Sequence, residues 1–324
     1  MITMLKVRFS IIIPHKNIPD LLLRCLGSVP QRDDVEVIIV DDDSDPDIVD
    51  FEHFPGLGIS GVEVFFTKEG KGAGYARNIG IEHAKGEWLL FADADDCFFI
   101  ENLNKLFDIA LPDDCEVVSW RYKRKDSIGT IKRFSMLDGL EEEYAFVKRY
   151  DVMKQLMYCQ PWTKMVKAEM IKRNNIRFEE VPVSNDIMFS ARIFVAIEHY
   201  YFFNTDCYYY INRSNSLTKT ISIENIKTRQ EVAVRVDEFI RRSGKYFKYD
   251  GLYGNWLAQL HYPIFFRLFC KDVINNGFHN AYNRYLISCL NNDTPISRIP
   301  YYTFLKRKIK RIFNVNATSF RNCT

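Results

Sequence analysis

Over residues 1–121, short β-branched runs alternate with stretches that carry apolar residues at helical spacing. This alternation restricts the chain to an α/β fold, a Rossmann-like and mostly parallel sheet whose crossover helices cover both faces. VRFSIIIP (7–14), VEVIIVDDD (35–43), GVEVFFT (61–67), EWLLFAD (87–93) and CEVVSW (115–120) are the expected strands. Between the first two, Leu21, Leu22, Cys25, Leu26 and Val29 recur as one helical face. Between the third and fourth, Ala73, Ala76, Ile79, Gly80 and Ala84 form a small-residue face, with Gly86 expected as a left-handed stop. Ligands of open parallel sheets bind at the carboxyl ends of the strands, so chemistry is to be sought there.

From 122 to about 215 the pattern is less regular, and HYYFFNTDCYYYI reads as a buried strand whose aromatics are core rather than binding surface. Beyond 218 the pattern turns helical, which divides the chain into an α/β domain over 1–218, where the strand ends place any chemistry, and a helical region over 219–324. With 324 residues, 47% of them hydrophobic, the chain can bury one large core and has room for a second domain. A net charge of +2 and a pI near 8.0 argue against a nucleic-acid partner. Eight cysteines, with no CxxC pair and no zinc-like spacing, suggest a reducing compartment. The N-terminal apolar run stops at Pro14 without a small-residue cleavage pattern, and NWLAQLHYPIFFRLFC is interrupted by His261, Pro263 and Arg267. Neither a signal peptide nor a membrane span is expected, which favours a cytoplasmic location.

Three strand ends carry polar residues: Pro14-His15-Lys16-Asn17, Asp41-Asp42-Asp43-Ser44 and Asp93-Ala94-Asp95-Asp96. In the second, Ser44 or Asp45 ahead of Pro46 would cap a helix, while Asp41 and Asp42 are placed to accept hydrogen bonds from a ribose or base. EGKGAGYARNIG is neither a P-loop nor a dinucleotide fingerprint. It still offers Lys71 and Arg77 to phosphate oxygens at a helix N-terminus, the alternative being a solvated helix face. Asp93, Asp95 and Asp96 are the strongest cluster, because three carboxylates directly after WLLFA repel one another unless a cation intervenes. Hard ions such as Mn²⁺ or Mg²⁺ take oxygen ligands of this kind together with substrate phosphates.

In their order and spacing, FSIIIPHKN, VIIVDDDS, GAGYARNIG and AKGEWLLFADADD resemble the inverting GT-A glycosyltransferases of family 2 over residues 8–98, and more loosely to about 218. The resemblance implies that Pro14 and Lys16 line a nucleotide pocket, that Asp42 recognises the base and that Arg77 sits near the diphosphate. It further implies that Asp93 touches the ribose and that Asp95 and Asp96 hold the metal. Lys16 stands where an aromatic residue is frequent, and Asp43 where a glycine is. A lysine does not stack on uracil as a tyrosine would, so the resemblance leaves the base open, with a UDP-sugar the expected donor.

The family's general base is the aspartate of an acidic pair ahead of an aromatic residue, and VPVSNDIMF supplies Asp186 with Asn185 in place of the acidic neighbour. The alternative role for Asp186 is to cap the helix that IMFSARIF begins, and Glu179 and Glu180 are alternative bases. Trp162 and Lys164 resemble a W-x-K segment on the acceptor side, and Arg213 resembles the end of the catalytic domain. The implied activity is transfer of a hexosyl or N-acetylhexosaminyl group to a glycan or lipid-linked glycan, as in cell-surface polysaccharide synthesis. A nucleotidyltransferase and a non-catalytic nucleotide- or glycan-binding module are the alternatives. In the tail, Tyr301, Phe304, Leu305, Ile309, Ile312 and Phe313 make an apolar stripe flanked by Lys306, Arg307, Lys308, Lys310 and Arg311. This helix would suit an anionic membrane surface at its cytoplasmic side, or pack on the protein with a solvated basic face.

Overall fold

The computed structural model describes residues 6–125, 131–134, 144–146, 160–212 and 223–243. The chain divides into two units, Met1–Lys219 and Thr220–Thr324. Strands β1 (Phe9–His15), β2 (Val35–Asp42), β3 (Val62–Thr67) and β4 (Trp88–Phe91) pair in parallel in the order β3-β2-β1-β4, Ile12 opposite Ile38 on one side and Phe91 on the other. Helices α1 (Pro19–Leu26) and α2 (Ala73–His83) are the crossovers. After β4 come β5 (Cys97–Phe98), α3 (Ile100–Phe107), β6 (Val117–Lys125), β7 (Ile131–Phe134) and β8 (Tyr144–Phe146). A short 3-10 turn then leads into β9 (Lys164–Lys167), α4 (Ala168–Arg173), α5 (Asn185–Ala196) and β10 (Tyr200–Ile211). The sheet continues β4-β9-β6-β10-β5, with β9 antiparallel to both its neighbours, β6 and β10 parallel, and β7 and β8 added to β6 and β10. In the second unit, α6 (Ile223–Arg242) buries Val232, Val236 and Ile240, a four-residue period that marks one apolar stripe.

The period of two along β1 sets the layers. Phe9, Ile11 and Ile13 belong to a core with Leu22 and Leu26 of α1 and Leu103 and Phe107 of α3, and Phe9 stacks on Phe107 at 3.8 Å. Ile12 points to the opposite face, where it meets α2 at Gly80. That second face is closed by Phe91, Phe178 and Phe189, the last two stacked at 3.8 Å. With both faces covered, β1, β2 and β4 are buried along their whole length, which explains their unbroken apolar runs.

Residues 92–96 join β4 to β5, although four strand steps separate the two in the sheet order. Four steps of a flat sheet span about 19 Å, close to the full reach of that link even when extended. The link is not extended, because the Asp96 N–H donates to the Asp93 carbonyl at 3.0 Å. The sheet therefore curls until its β10-β5 edge returns to the carboxyl end of β4.

Two local expectations are corrected. Residues after Ser44 form a turn rather than a helix: Asp45 accepts the Asp47 N–H at 2.9 Å, and Ser44 is turned back onto Asp41. Gly86 is not a left-handed helix stop, since α2 ends at His83 and Ala84 takes an extended conformation. Glycine is needed there for a close approach, as a Cβ would lie 2.6 Å from the Ser10 nitrogen and from its Oγ. Among the described residues no helix is long and apolar enough to cross a membrane. Arg213 and the basic stretch 301–313 lie outside the described residues.

Candidate functional site

The carboxyl ends of β1, β2 and β4 meet the first turns of α2 and α5, and the site is built from these five segments. At the first two strand ends Asp41 is a scaffold. Its carboxylate accepts His15 Nδ1 at 2.7 Å, the Ser44 N–H at 3.0 Å and the Ser44 hydroxyl at 2.5 Å. The Ile18 N–H donates to His15 Nε2 at 3.1 Å, so the imidazole carries its proton on Nδ1 and points it at Asp41. Burial alone would raise the Asp41 carboxyl, but the hydrogen bonds from His15 and Ser44 outweigh it and hold the group below the usual range. Asn17 and Ser44 close the frame, the Asn17 N–H donating to Ser44 Oγ at 2.8 Å. Neither His15 nor this role for Asp41 stood out in the sequence, because the partners are 26 residues apart.

Pro14 is buried at the end of β1, and the exposed Lys16 reaches back to the Asp42 carbonyl at 2.9 Å. The Asp42 carboxylate accepts the Gly72 N–H at 2.6 Å and Thr67 Oγ1 at 3.3 Å, which holds the loop before α2 against β2. Asp43 adopts φ 61°, a left-handed conformation in which glycine is the unstrained residue. That accounts for the glycine the resemblance expects at this position. Lys71 is exposed, pairs with Glu69 at 3.1 Å and lies over the Tyr75 ring.

The acidic turn gathers oxygens of Asp93, Asp95 and Asp96 within 4.8 Å of one another. Asp96 is fully buried; it accepts the Tyr208 hydroxyl at 3.1 Å and the Ile211 N–H at 2.7 Å. The same Tyr208 oxygen accepts the Asp93 N–H at 2.9 Å. Burial pushes the Asp96 carboxyl well above its ordinary value, and the charges of Asp93 and Asp95 push it further. Arg24 donates to the Asp95 carbonyl at 2.6 Å and so pins the turn from α1. An all-oxygen set of mutually repelling carboxylates fits a hard divalent ion, which takes oxygen ligands of this kind.

Arg77 is buried on α2, its side chain 7% exposed. One terminal nitrogen donates to Asp93 Oδ1 at 2.6 Å and the other to Asn185 Oδ1 at 2.9 Å. Asp186 follows in the first turn of α5. Burial raises its carboxyl; Arg77 and Lys164 pull it down, and Asp93 pushes it up. Glu180 is exposed and Glu179 half-buried. Lys164 has no exposed surface and donates to the Gln160 carbonyl at 2.8 Å. Trp162, placed by resemblance on the acceptor side, is buried and stacks on Tyr208 at 4.6 Å.

The sequence matches the family model described as glycosyl transferase family 2 over residues 10–174, just over half of the chain. It is 25% identical over 270 residues to the cholesterol galactosyltransferase of Borreliella burgdorferi, covering 79% of this chain and 74% of that one. It is 26% identical over 210 residues to the poly(ribitol-phosphate) beta-glucosyltransferase of Bacillus spizizenii, covering 61% of this chain. The match spans 32% of the latter, about a third of its length. The structure of Staphylococcus aureus TarS 1–349 in complex with UDP-GlcNAc superposes with a TM-score of 0.61 at 18% identity, over 87% of this chain and 81% of that one, and shares its GT-A fold. With strand order, strand-end carboxylates and the matched span in agreement, this chain belongs to glycosyl transferase family 2.

Proposed function

We propose that the protein transfers a hexosyl or N-acetylhexosaminyl group from a nucleotide-diphosphate sugar, with UDP as the leaving nucleotide, to a glycan hydroxyl with inversion at the anomeric carbon. The observation that carries this reading is the Arg77 guanidinium, which joins Asp93 at the end of β4 to Asn185, the neighbour of Asp186. It sets one half-buried carboxylate beside a second carboxylate group at the carboxyl edge of the sheet. Inverting transfer needs a base on the acceptor side and charge neutralisation on the leaving-group side. In this reading Asp186 accepts the proton of the acceptor hydroxyl, and its raised pKa moves it toward the working range of a general base.

Pro14, Lys16 and Asp42 surround the base, Asp93 faces the ribose, and the exposed Lys71 reaches the diphosphate. Asp95 and Asp96 would hold Mn²⁺ or Mg²⁺. The chemistry such an ion supplies when bound is neutralisation of the departing diphosphate. Two relatives are named for acceptors, cholesterol and poly(ribitol phosphate), that are alcohols, which supports a hydroxyl acceptor. A lipid-linked glycan, and contact of 301–313 with an anionic membrane, are the extensions that the basic tail supports.

Nucleotide release from a panel of UDP- and GDP-sugars, with and without Mn²⁺ or Mg²⁺, tests the proposal on the wild type, Asp95→Ala and Asp186→Asn. Metal-dependent UDP release by the wild type, and a loss of about 100-fold or more in each variant, is expected. Equal turnover in all three would refute the mechanism. Donor binding without turnover in any of them would favour a non-catalytic module.

A further inference from the structure

The glycine-rich start of α2 has a use besides approach to phosphate. Gly74, Arg77 and Asn78 stand at i, i+3 and i+4, on one face of the helix. All three contact the segment 178–185 that leads into α5. At Gly74 a Cβ would overlap the Glu179 carbonyl oxygen and lie 3.0 Å from the Asn185 Cβ, so the two segments touch backbone to backbone. Asn78 makes a reciprocal pair with Phe178, donating from Nδ2 to its carbonyl at 3.0 Å and accepting its N–H at 2.9 Å. Arg77 lies over the Phe178 ring at 5.3 Å while it bonds Asn185 and Asp93. Phe178 in turn stacks on Phe189, three residues and just under one turn along from Asp186 in α5.

Ser184, immediately before the helix, adopts φ 62° and makes no side-chain cap. A left-handed serine at a helix start is strained and persists only where its surroundings impose it. The α2 face holds residues on both sides of Ser184, Glu179 against Gly74 and Asn185 on Arg77.

We infer that the Gly74-Arg77-Asn78 face of α2 is a dock that fixes the first turn of α5, and with it Asp186, relative to Asp93, and that Arg77 is a positioning residue rather than a diphosphate ligand. The inference rests on the reading of Asp186 as the base. Asn185 gives it a particular form in this chain. With a neutral amide where the family resemblance expects an acid, Arg77 is charge-balanced by Asp93, and its second hydrogen bond serves geometry alone. A guanidinium does this where an ammonium does not, because its two terminal nitrogens diverge at a fixed angle toward two acceptors.

The test compares Arg77→Lys, Asn185→Ala and the double variant Arg77→Lys/Asn185→Asp with the wild type. Four quantities are measured: kcat, donor KM, the UDP dissociation constant by calorimetry, and amide hydrogen exchange over 184–190. A displacement of the base by about 1 Å lowers turnover on the order of 10- to 100-fold. Arg77→Lys and Asn185→Ala should each show a kcat loss of that size, faster exchange over 184–190, and donor KM and UDP affinity within about twofold of the wild type. The double variant, which gives the lysine a second carboxylate, should recover part of the kcat lost by Arg77→Lys.

A rise of about tenfold or more in the UDP dissociation constant for Arg77→Lys, with Asn185→Ala unaffected, would make Arg77 a diphosphate ligand and overturn the dock. Unchanged exchange over 184–190 in both single variants would overturn it as well. Full activity in Asp186→Asn would instead remove the base assignment, and the exchange measurement would still decide whether the dock exists.

Discussion

Tyr208→Phe removes one oxygen and leaves the ring in place. That oxygen accepts the Asp93 N–H at 2.9 Å and donates to Asp96 Oδ2 at 3.1 Å, at a residue with no exposed surface. The ring is held independently, stacked on Trp162 at 4.6 Å and edge-on to Phe98 at 5.1 Å, so packing should survive the change. What is lost is a hydrogen bond to a carboxylate, worth about 1.5–3 kcal/mol, and the partner of a backbone N–H, whose orphaning costs about 1–3 kcal/mol if it is shut off from water. Part of each is recovered by relaxation, and a net loss of about 3 kcal/mol is expected. For a unit spanning Met1–Lys219 the unfolding entropy is roughly 0.46 kcal/mol/K near 60 °C, so this corresponds to a fall of about 7 °C in Tm. The Tyr208 hydrogen bond also restrains the upward shift of the Asp96 carboxyl, so under the proposed role of Asp96 as a metal ligand the variant should need a higher pH to bind Mn²⁺. Urea denaturation and thermal melting of wild type and variant, with Mn²⁺ titrations at two pH values, provide the check. A destabilisation below about 1 kcal/mol, with the same metal affinity, would show that the hydroxyl does not hold the acidic turn.

Three further outcomes follow from other contacts. Gly80→Ala should gain about 1 kcal/mol in helix propensity but lose more, because the new methyl overlaps Ile12 Cγ2 inside β1. A net loss of about 1–2 kcal/mol by chemical denaturation is expected, and a stabilised variant would refute the close packing. Glu116 is buried, which alone would raise its carboxyl, but the Glu198 N–H at 2.7 Å, the Arg173 guanidinium and the His199 N–H hold it below its ordinary 4.5. A depressed folded pKa gives stability that is present above the unfolded value and lost as pH falls through the folded one. Glu116→Gln should thus be less stable near pH 7 and show a flatter decline than the wild type below about pH 4.5, measured by melting across pH. Asp41→Asn should cost about 2 kcal/mol by misdirecting donors from His15 and Ser44, and should weaken UDP binding because both strand-end loops hang on that carboxylate.

Much of the scaffold was legible because its period is simple. Ile11, Ile12 and Ile13 sit in a strand buried on both faces, and such a strand announces itself as an apolar run. The acidic turn was legible for the opposite reason, since three carboxylates after WLLFA have no place in a core. Strand β9 was not, because KMVK is four residues long and begins with a lysine that the fold buries completely. Helix α3 was hidden by its polar Glu101, Asn102, Asn104 and Lys105, which lie between the buried Leu103, Leu106 and Phe107. The tie between Tyr208 and Asp96 spans 112 residues, and no local pattern encodes it. Arg77 was visible as a cation near a helix start, but its partners were not, because Asn185 is 108 residues away and reads only as the neutral neighbour of Asp186.

The short link from β4 to β5 makes the carboxylate spacing a matter of sheet closure. Residues 92–96 must bring the chain from the middle of the sheet to its far edge while Asp93 and Asp96 each fasten to Tyr208. Lengthening this link by one residue would shift Asp96 out of register with Tyr208 and Ile211 at the moment the curled edge is sealed. An inserted residue in this link should therefore disturb the site more than a substitution within it. The spacing of the acids is thus set by the closure of the sheet.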